Sequence, residues 1–156
     1  MPYSKIMGFS YQKGKIRYST LSNIASNLTY LNHGSIKYDV ELDLSDLVER
    51  WRLDFNELFK AQKPDLVSSI EIWESKSRNS SRYQILPLGI LSQCCKSNNI
   101  PIKVFTPQAF IKGGPFGLPA GAKPIHAVDA KFQAHPPLWD EMQRKSVLVA
   151  WRAALE

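Results

Sequence analysis

The stretch 66–75 combines a short apolar run with a carboxylate that could do chemistry. It begins with Leu-Val-Ser-Ser-Ile, a composition that predicts a central strand, and Glu71 follows Ile70 directly. An ionised carboxylate in a buried strand is costly unless it is paired, hydrogen-bonded or bound to a cation. Two interpretations stay open: Glu71 binds a cation, or the strand ends at Ile70 and Glu71 points into water.

Basic side chains form the second group that could do chemistry. Lys and Arg number 20 against 14 for Asp and Glu, and the pI is near 9.4. This excess favours a polyanionic partner, nucleic acid before an anionic membrane surface. The side chains selected as phosphate-contact candidates are Lys13, Lys15, Arg17, Lys76, Arg78, Arg82, Lys112 and Lys123. Lysine and arginine neutralise phosphates without reading sequence, although any one of these residues could instead belong to a solvated charged surface.

Three extended segments open the chain. A mixed segment at 4–9 is followed by an alternating one at 15–21, and Gly14 between them can take the positive φ of a hairpin turn. A third segment at 28–38 contains Asn-His-Gly, which favours a bulge or a bend. Three strands in succession predict an antiparallel meander.

Two helices and a further strand are predicted around and after the central strand. Asp43 is a good N-cap residue for an amphipathic helix that should end near Gln62, before Pro64. Ser81 and Gln84 have the spacing of a capping box for a second helix. That helix either begins at Pro87 or is kinked there, since an internal proline removes a hydrogen bond. A strand at 100–105 then completes a β-α-β unit, which should be parallel.

The segment at about 107–137 is rich in glycine and proline and precedes a final helix that begins near Leu138. A structureless connection of this length is unusual in a compact domain, and it is either a binding loop or a passive linker. Its apolar side chains are too numerous for a simply solvated linker. We expect part of it to pack against a protein partner or along the domain. Deleting 113–122 should then abolish association with the partner and leave the thermal midpoint of the isolated domain nearly unchanged.

A length of 156 residues predicts a single domain spanning 1–156. The chain has 44% hydrophobic and 22% charged residues, values typical of globular proteins. No apolar run is long enough for a membrane span, and no apolar signal core precedes the first lysine. Cys94 and Cys95 are adjacent, which disfavours a metal knuckle or a disulfide between them and suggests a reducing compartment. We therefore expect a cytoplasmic protein without a membrane partner.

The order of elements and several sequence runs resemble the RuvC-type Holliday junction resolvases, which have the RNase H-like fold. The resemblance covers roughly residues 4–110. It is carried by Lys5-Ile6-Met7-Gly8-Phe9-Ser10, by Gly34-Ser35-Ile36, by the Pro64-Asp65 to Ile70-Glu71 run, by Asn79-Ser80-Ser81 with Gly89, and by 102–108. It implies an α/β fold with a mixed five-stranded sheet, antiparallel over three strands and then parallel, flanked by helices. It also makes a homodimer worth testing.

The resemblance implies four metal-binding carboxylates, and this chain departs from that pattern. Paired divalent ions need hard anionic oxygen ligands. Glu71 matches the family's central-strand ligand, but the first-strand aspartate falls on Ser10 and the pair on the last helix falls near Gln143 and Ser146. The resemblance therefore implies a catalytically degenerate protein that needs no cofactor and binds branched or duplex nucleic acid, DNA before RNA. It could also serve as a docking module in a larger assembly.

The alternative is an active structure-selective endonuclease that requires Mg²⁺ or Mn²⁺. Its site would be built from Glu71 with Asp140 or Glu141, two acids at the start of the last helix. Those two acids have a simpler explanation, because carboxylates are stabilised near a helix N-terminus.

Overall fold

The fold is built on a five-stranded sheet with the order β3-β2-β1-β4-β5. The structure is a computed structural model that describes residues 3–71, 78–133 and 139–156, with the backbone alone for 78–80. The strands are β1 (Lys5–Gln12), β2 (Lys15–Ile24), β3 (Asn27–Lys37), β4 (Leu66–Ile70) and β5 (Ile102–Phe105). β1, β2 and β3 pair antiparallel, whereas β4 pairs parallel with both β1 and β5. This confirms the predicted mixed sheet.

Local sequence explains the first hairpin and the bend in β3. Gly14 in the β1–β2 turn has φ +84°, the left-handed conformation that glycine adopts without a Cβ penalty. In the β2–β3 pairing, Thr20 faces Asn32 but Leu21 faces Tyr30, so one extra β3 residue is accommodated there. The bulge therefore lies immediately before the predicted Asn-His-Gly segment.

Two long helices, α1 (Leu44–Gln62) and α2 (Arg78–Ser97), cover one face of the sheet. α1 ends at the predicted residue, and Asp43 occupies its N-cap position without a side-chain capping hydrogen bond. The predicted start of α2 is wrong, because the helix already includes residues 78–80 and Pro87 is inside it. Ser81 therefore lies within the first turns instead of capping them.

Alternation along the strands divides the core into two halves. Met7 and Phe9 of β1 pack toward α1 and α2, while Ile6 packs toward the last helix, α4 (Glu141–Ala154). Gly8 lies under α4, and a Cβ there would be 2.0 Å from the Ser146 carbonyl oxygen. The absent side chain at Gly8 therefore permits the close approach of α4 to the sheet.

The glycine- and proline-rich segment is an ordered part of the α4 side of the molecule over its described residues. It contains two short 3₁₀ turns, Pro107–Phe110 and Gly114–Phe116, and helix α3 (Pro124–Phe132). Its buried apolar residues, which join the same core as Trp151, are Phe110, Phe116, Val128 and Phe132. The expectation of packing along the domain is met, and the segment is not a structureless linker.

No helix among the described residues is long and apolar enough to cross a membrane. Cys94 and Cys95 are both free thiols buried in α2.

Candidate functional site

The first turns of α4 are joined to β1 by the Ser10 hydroxyl. Strand alternation places Ser10 on the same face as Ile6 and Gly8, directly beneath α4. Its Oγ donates to the Met142 carbonyl oxygen at 2.6 Å, and Ser10 is only 1% exposed. Ser10 therefore uses its hydroxyl to hold the start of α4 and is removed from solvent.

Gln143 and Ser146 continue this buried polar contact toward β2. Gln143 Nε2 lies 2.7 Å from the Tyr18 carbonyl oxygen, 3.0 Å from Ser19 Oγ and 3.1 Å from Ser146 Oγ. The Ser19 and Ser146 hydroxyl oxygens are 2.7 Å apart. Gln143 is 2% exposed and both serines are fully buried. The amide and hydroxyl groups satisfy one another, as buried polar groups must.

The three positions where the family resemblance implies acids are thus filled by neutral side chains. Gln143 and Ser146 bond to each other, and Ser10 bonds to the Met142 carbonyl oxygen. Ser10, Gln143 and Ser146, together with Ser19, are named here the neutral network. A pair of divalent cations needs anionic oxygen ligands that are open to the metal and to a phosphodiester. Among the residues that the structure describes, no group of three or more His, Cys, Asp or Glu side chains could hold a metal ion. The residues that the structure describes at these positions do not fit such a metal pair.

Glu71, which the family resemblance matches to a metal ligand, is exposed where the central strand ends. β4 stops at Ile70, the chain bends at Glu71, and the Glu71 amide donates to the Phe105 carbonyl oxygen at 2.8 Å. This geometry agrees with the second interpretation of Glu71, in which the strand ends at Ile70 and the Glu71 side chain points into water. A solvated carboxylate there carries no desolvation penalty, so its position does not require a bound cation.

Asp140 has a structural role at the start of α4. Its Oδ1 accepts from the Gln143 amide at 2.8 Å, which makes Asp140 the N-cap, and its Oδ2 pairs with Nη2 of Arg17. Glu141 lies in the first helical turn, where a carboxylate is favoured by the helix dipole. Both oxygens of Asp140 therefore already have partners.

Two of the predicted basic groups meet at one aromatic ring. Lys13 Nζ, at the tip of the β1–β2 hairpin, is 5.9 Å from the centroid of the Tyr83 ring. The Arg82 guanidinium carbon, on α2, is 5.8 Å from the same centroid. Both cations are exposed while the ring is buried, so the ring holds them on one surface. Lys76 and the Arg78 side chain, predicted for the same surface, lie outside the described residues.

The other candidates lie on different parts of the molecule. Lys15 and Arg17 follow Lys13 along β2. Lys112 and Lys123 are exposed and border a surface pocket of about 560 Å³ formed by the glycine- and proline-rich segment. Tyr83 is not among the residues that line this pocket.

Lys37 was missed from sequence and is brought to the hairpin by the sheet register. It pairs directly with Lys15 across β2 and β3. The pairing depends on the bulge after Tyr30, whose effect on register could not be obtained from the alternation of side chains alone.

Comparison of the sequence finds no matching family model and no matching curated protein. Solved structures do match. RuvC of Thermus thermophilus in complex with a Holliday junction substrate aligns with a TM-score of 0.77 at 11% identity, over 97% of this chain and 93% of that one. This chain has the RuvC fold.

Two further structures agree with the RuvC fold. The yeast mitochondrial Holliday junction resolvase Ydc2 aligns with a TM-score of 0.66 at 12% identity, over 99% of this chain and 82% of that one. The fowlpox virus resolvase with its Holliday junction DNA aligns with a TM-score of 0.57 at 10% identity, over 97% and 98% of the two chains. The likeness therefore extends beyond the 4–110 region in which the sequence resemblance lies and includes α4.

Proposed function

We propose that this protein binds branched or duplex DNA through its RuvC fold without the metal-dependent cleavage chemistry of the resolvases. The observation that carries the proposal is the match, over nearly the whole chain, to two proteins whose structures contain junction DNA. The net charge of +6 suits the same partner, because phosphate neutralisation supplies much of the affinity for DNA. DNA is favoured over RNA because both matched complexes contain Holliday junctions.

The neutral network supports the absence of cleavage. Hydrolysis of a phosphodiester by two metal ions requires carboxylates that clamp both ions. Ser10 and Gln143 are instead committed to hydrogen bonds between the sheet and α4. Recruiting them to a metal would break those bonds and leave buried partners unsatisfied, at a cost of about 1–3 kcal/mol for each group.

The endonuclease alternative has less support. It needs Glu71 together with Asp140 or Glu141 around Mg²⁺ or Mn²⁺. Asp140 would have to give up either the α4 cap or its ion pair with Arg17 to bind a metal. We therefore propose that the protein binds DNA and has no resident cofactor.

The surface around Tyr83 is our proposed contact with the phosphate backbone. Lys13 and Arg82 are both exposed and converge on the Tyr83 ring from two separate elements, the hairpin and α2. Cations held side by side can follow a backbone without reading bases, which suits recognition of shape. Lys112 and Lys123 form a second proposed contact beside their pocket.

Protein association is a separate proposal. The buried phenylalanines of the glycine- and proline-rich segment belong to the domain core, so a protein partner would have to use exposed residues such as Ile111, which is 58% exposed. We also propose a homodimer and a cytoplasmic location, as separate proposals.

A gel-shift series tests the DNA-binding proposal. Four-way junction, linear duplex and single strand should be compared at two salt concentrations, with Lys13→Gln/Arg82→Gln beside the unchanged protein. We expect junction binding that weakens with salt. In a plot of the logarithm of the binding constant against the logarithm of the salt concentration, the double variant should have a shallower slope. The decrease should be about 0.9 for each phosphate that the protein no longer neutralises.

The matched control is Lys60→Gln/Lys96→Gln, which removes the same charge from exposed positions on α1 and α2. Equal weakening of binding in the two double variants would show that only net charge matters at the Tyr83 surface. Failure of the unchanged protein to bind any of the three nucleic acids at low salt would refute the proposed function.

A further inference from the structure

Arg17 lies at the edge of the neutral network, on the strand beside Ser10. The two residues are paired directly across β1 and β2 and share the face that α4 covers. Arg17 Nε is 3.4 Å from Gln12 Oε1, and its Nη1 is 3.4 Å from Gln143 Oε1. Both distances are long for hydrogen bonds. The ion pair with Asp140 is therefore the main contact of this guanidinium among the described residues.

Asp140 is more accessible than the arginine that it binds. Its side chain is 51% exposed, against 16% for Arg17. An exposed ion pair contributes little stability, and Asp140 keeps its second oxygen on the α4 cap. The pair could therefore open at its exposed end while the cap stays in place.

The lysines next to Arg17 form an arrangement that an anion would stabilise. Lys15 is two residues before Arg17 on β2, and Lys37 faces Lys15 directly on β3. Like charges directly opposite on a sheet are destabilising. No ion pair joins either lysine to a carboxylate within the described ranges. A phosphate group bound between the two lysines would attract both of them and so offset their mutual repulsion.

We propose that Arg17, Lys15 and Lys37 form a site for a DNA backbone phosphate and that Asp140 competes with the phosphate for Arg17. In the free protein Asp140 neutralises Arg17. In the complex, a phosphodiester binds the Arg17 guanidinium through two oxygens, the bidentate geometry that guanidinium favours. Asp140 then keeps only its capping hydrogen bond from the Gln143 amide. This inference rests on the proposed DNA binding and assigns Asp140 an inhibitory role within it.

The test is equilibrium binding of a labelled four-way junction to Asp140→Asn, with Arg17→Gln and the Arg17→Gln/Asp140→Asn double variant in parallel. Asparagine caps helices about as well as aspartate, so the fold and the thermal midpoint should be retained. Asp140→Ser is a second capping replacement. Removing the competing charge should tighten junction binding by about fivefold at low salt and steepen its salt dependence, whereas it should have no such effect once Arg17 is replaced.

Glu49→Gln is the matched control, because Glu49 pairs with Arg52 on α1 at 2.6 Å and its replacement changes the net charge equally. If the unchanged protein binds the junction but Asp140→Asn tightens binding no more than Glu49→Gln, the inference is overturned and the proposed function stands. If the Asp140→Asn effect persists without Arg17, competition for Arg17 is likewise overturned. If the unchanged protein does not bind at low salt, both fail.

Discussion

Gln143 holds the start of α4 against β2 through a side chain that is almost completely buried. Its amide nitrogen lies within hydrogen-bond distance of the Tyr18 carbonyl oxygen and of the Ser19 and Ser146 hydroxyls. A carboxylate at this position could accept but not donate, and it would repel the Tyr18 carbonyl oxygen. The glutamine is thus matched to its surroundings as a donor. At the scale of single residues, the neutral network is an internally consistent structural unit.

Replacement of Gln143 by leucine should therefore destabilise the protein. The change leaves buried oxygens of Tyr18 and Ser19 without their donor, at an expected cost of about 1–3 kcal/mol in the free energy of unfolding. Urea denaturation followed by circular dichroism measures this directly. The control is Gln93→Leu, at an exposed position of α2, which should change stability by less than about 0.5 kcal/mol. Equal stabilities for the two variants would argue against a structural role for Gln143.

The close packing of α4 on β1 is the decisive contact between elements. Gly8 permits it, because any larger residue would meet the Ser146 carbonyl oxygen and Ala150.

The Pro64-Asp65 pair joins two strands at the start of β1. Asp65 accepts from the Ser4 and Lys5 amides at 2.8 and 2.9 Å, which joins the start of β1 to the start of β4. Burial would raise the Asp65 pKa, but these hydrogen bonds outweigh it and lower the pKa.

Gly8→Ala should separate α4 from the sheet. Its new methyl group would have to displace helix backbone, and we expect a decrease of about 3 kcal/mol in the free energy of unfolding. Gly89→Ala is the matched control, because the Gly89 position in α2 has open space around it. That change should stabilise the protein by about 0.5–1 kcal/mol through helix propensity. Thermal unfolding of the two variants should move in opposite directions, and a neutral Gly8→Ala would contradict the packing described.

For the whole molecule, the glycine- and proline-rich segment completes the core on the α4 side. The Phe116 and Phe132 rings lie 4.8 and 5.6 Å from that of Trp151, both in edge-to-face geometry. Composition indicated a segment too apolar to be solvated but could not tell whether a partner or the domain itself covers it. That depends on where α4 places Trp151, which is a tertiary contact.

Deletion of 113–122 should accordingly lower the thermal midpoint of the domain. The burial of Phe116 reverses the expectation of an unchanged midpoint. Phe116→Ala alone should cost roughly 3 kcal/mol, since large buried aromatic side chains leave cavities when truncated. Pro119→Ala, at an exposed position in the same segment, is the control for changes that do not reach the core. An unchanged midpoint after deletion would show that the segment contributes little to the domain.

Sequence patterns were sufficient for the order of the five strands and of α1, α2 and α4, because each of these elements carries its own period. They did not predict α3, which lies in the glycine- and proline-rich segment that was expected to be a loop. The β1–β2 hairpin at Gly14 and the end of α1 before Pro64 depend on local backbone preferences, and both were predicted. The start of α2 was not, because a capping-box pattern at Ser81 can also occur inside a helix. The contact between Arg17 and Asp140 spans 123 positions of sequence and depends on sheet register, so no local pattern could reveal it.

The central claim, DNA binding without cleavage, is tested most directly by incubating a labelled four-way junction with the protein in Mg²⁺, in Mn²⁺ and in EDTA. Each sample is divided between a native gel and a denaturing gel. We predict a shifted junction of similar affinity in all three conditions, with every strand intact. Strand cleavage that requires the metal and disappears in Glu71→Gln would contradict the claim, as would a junction that remains unshifted at low salt.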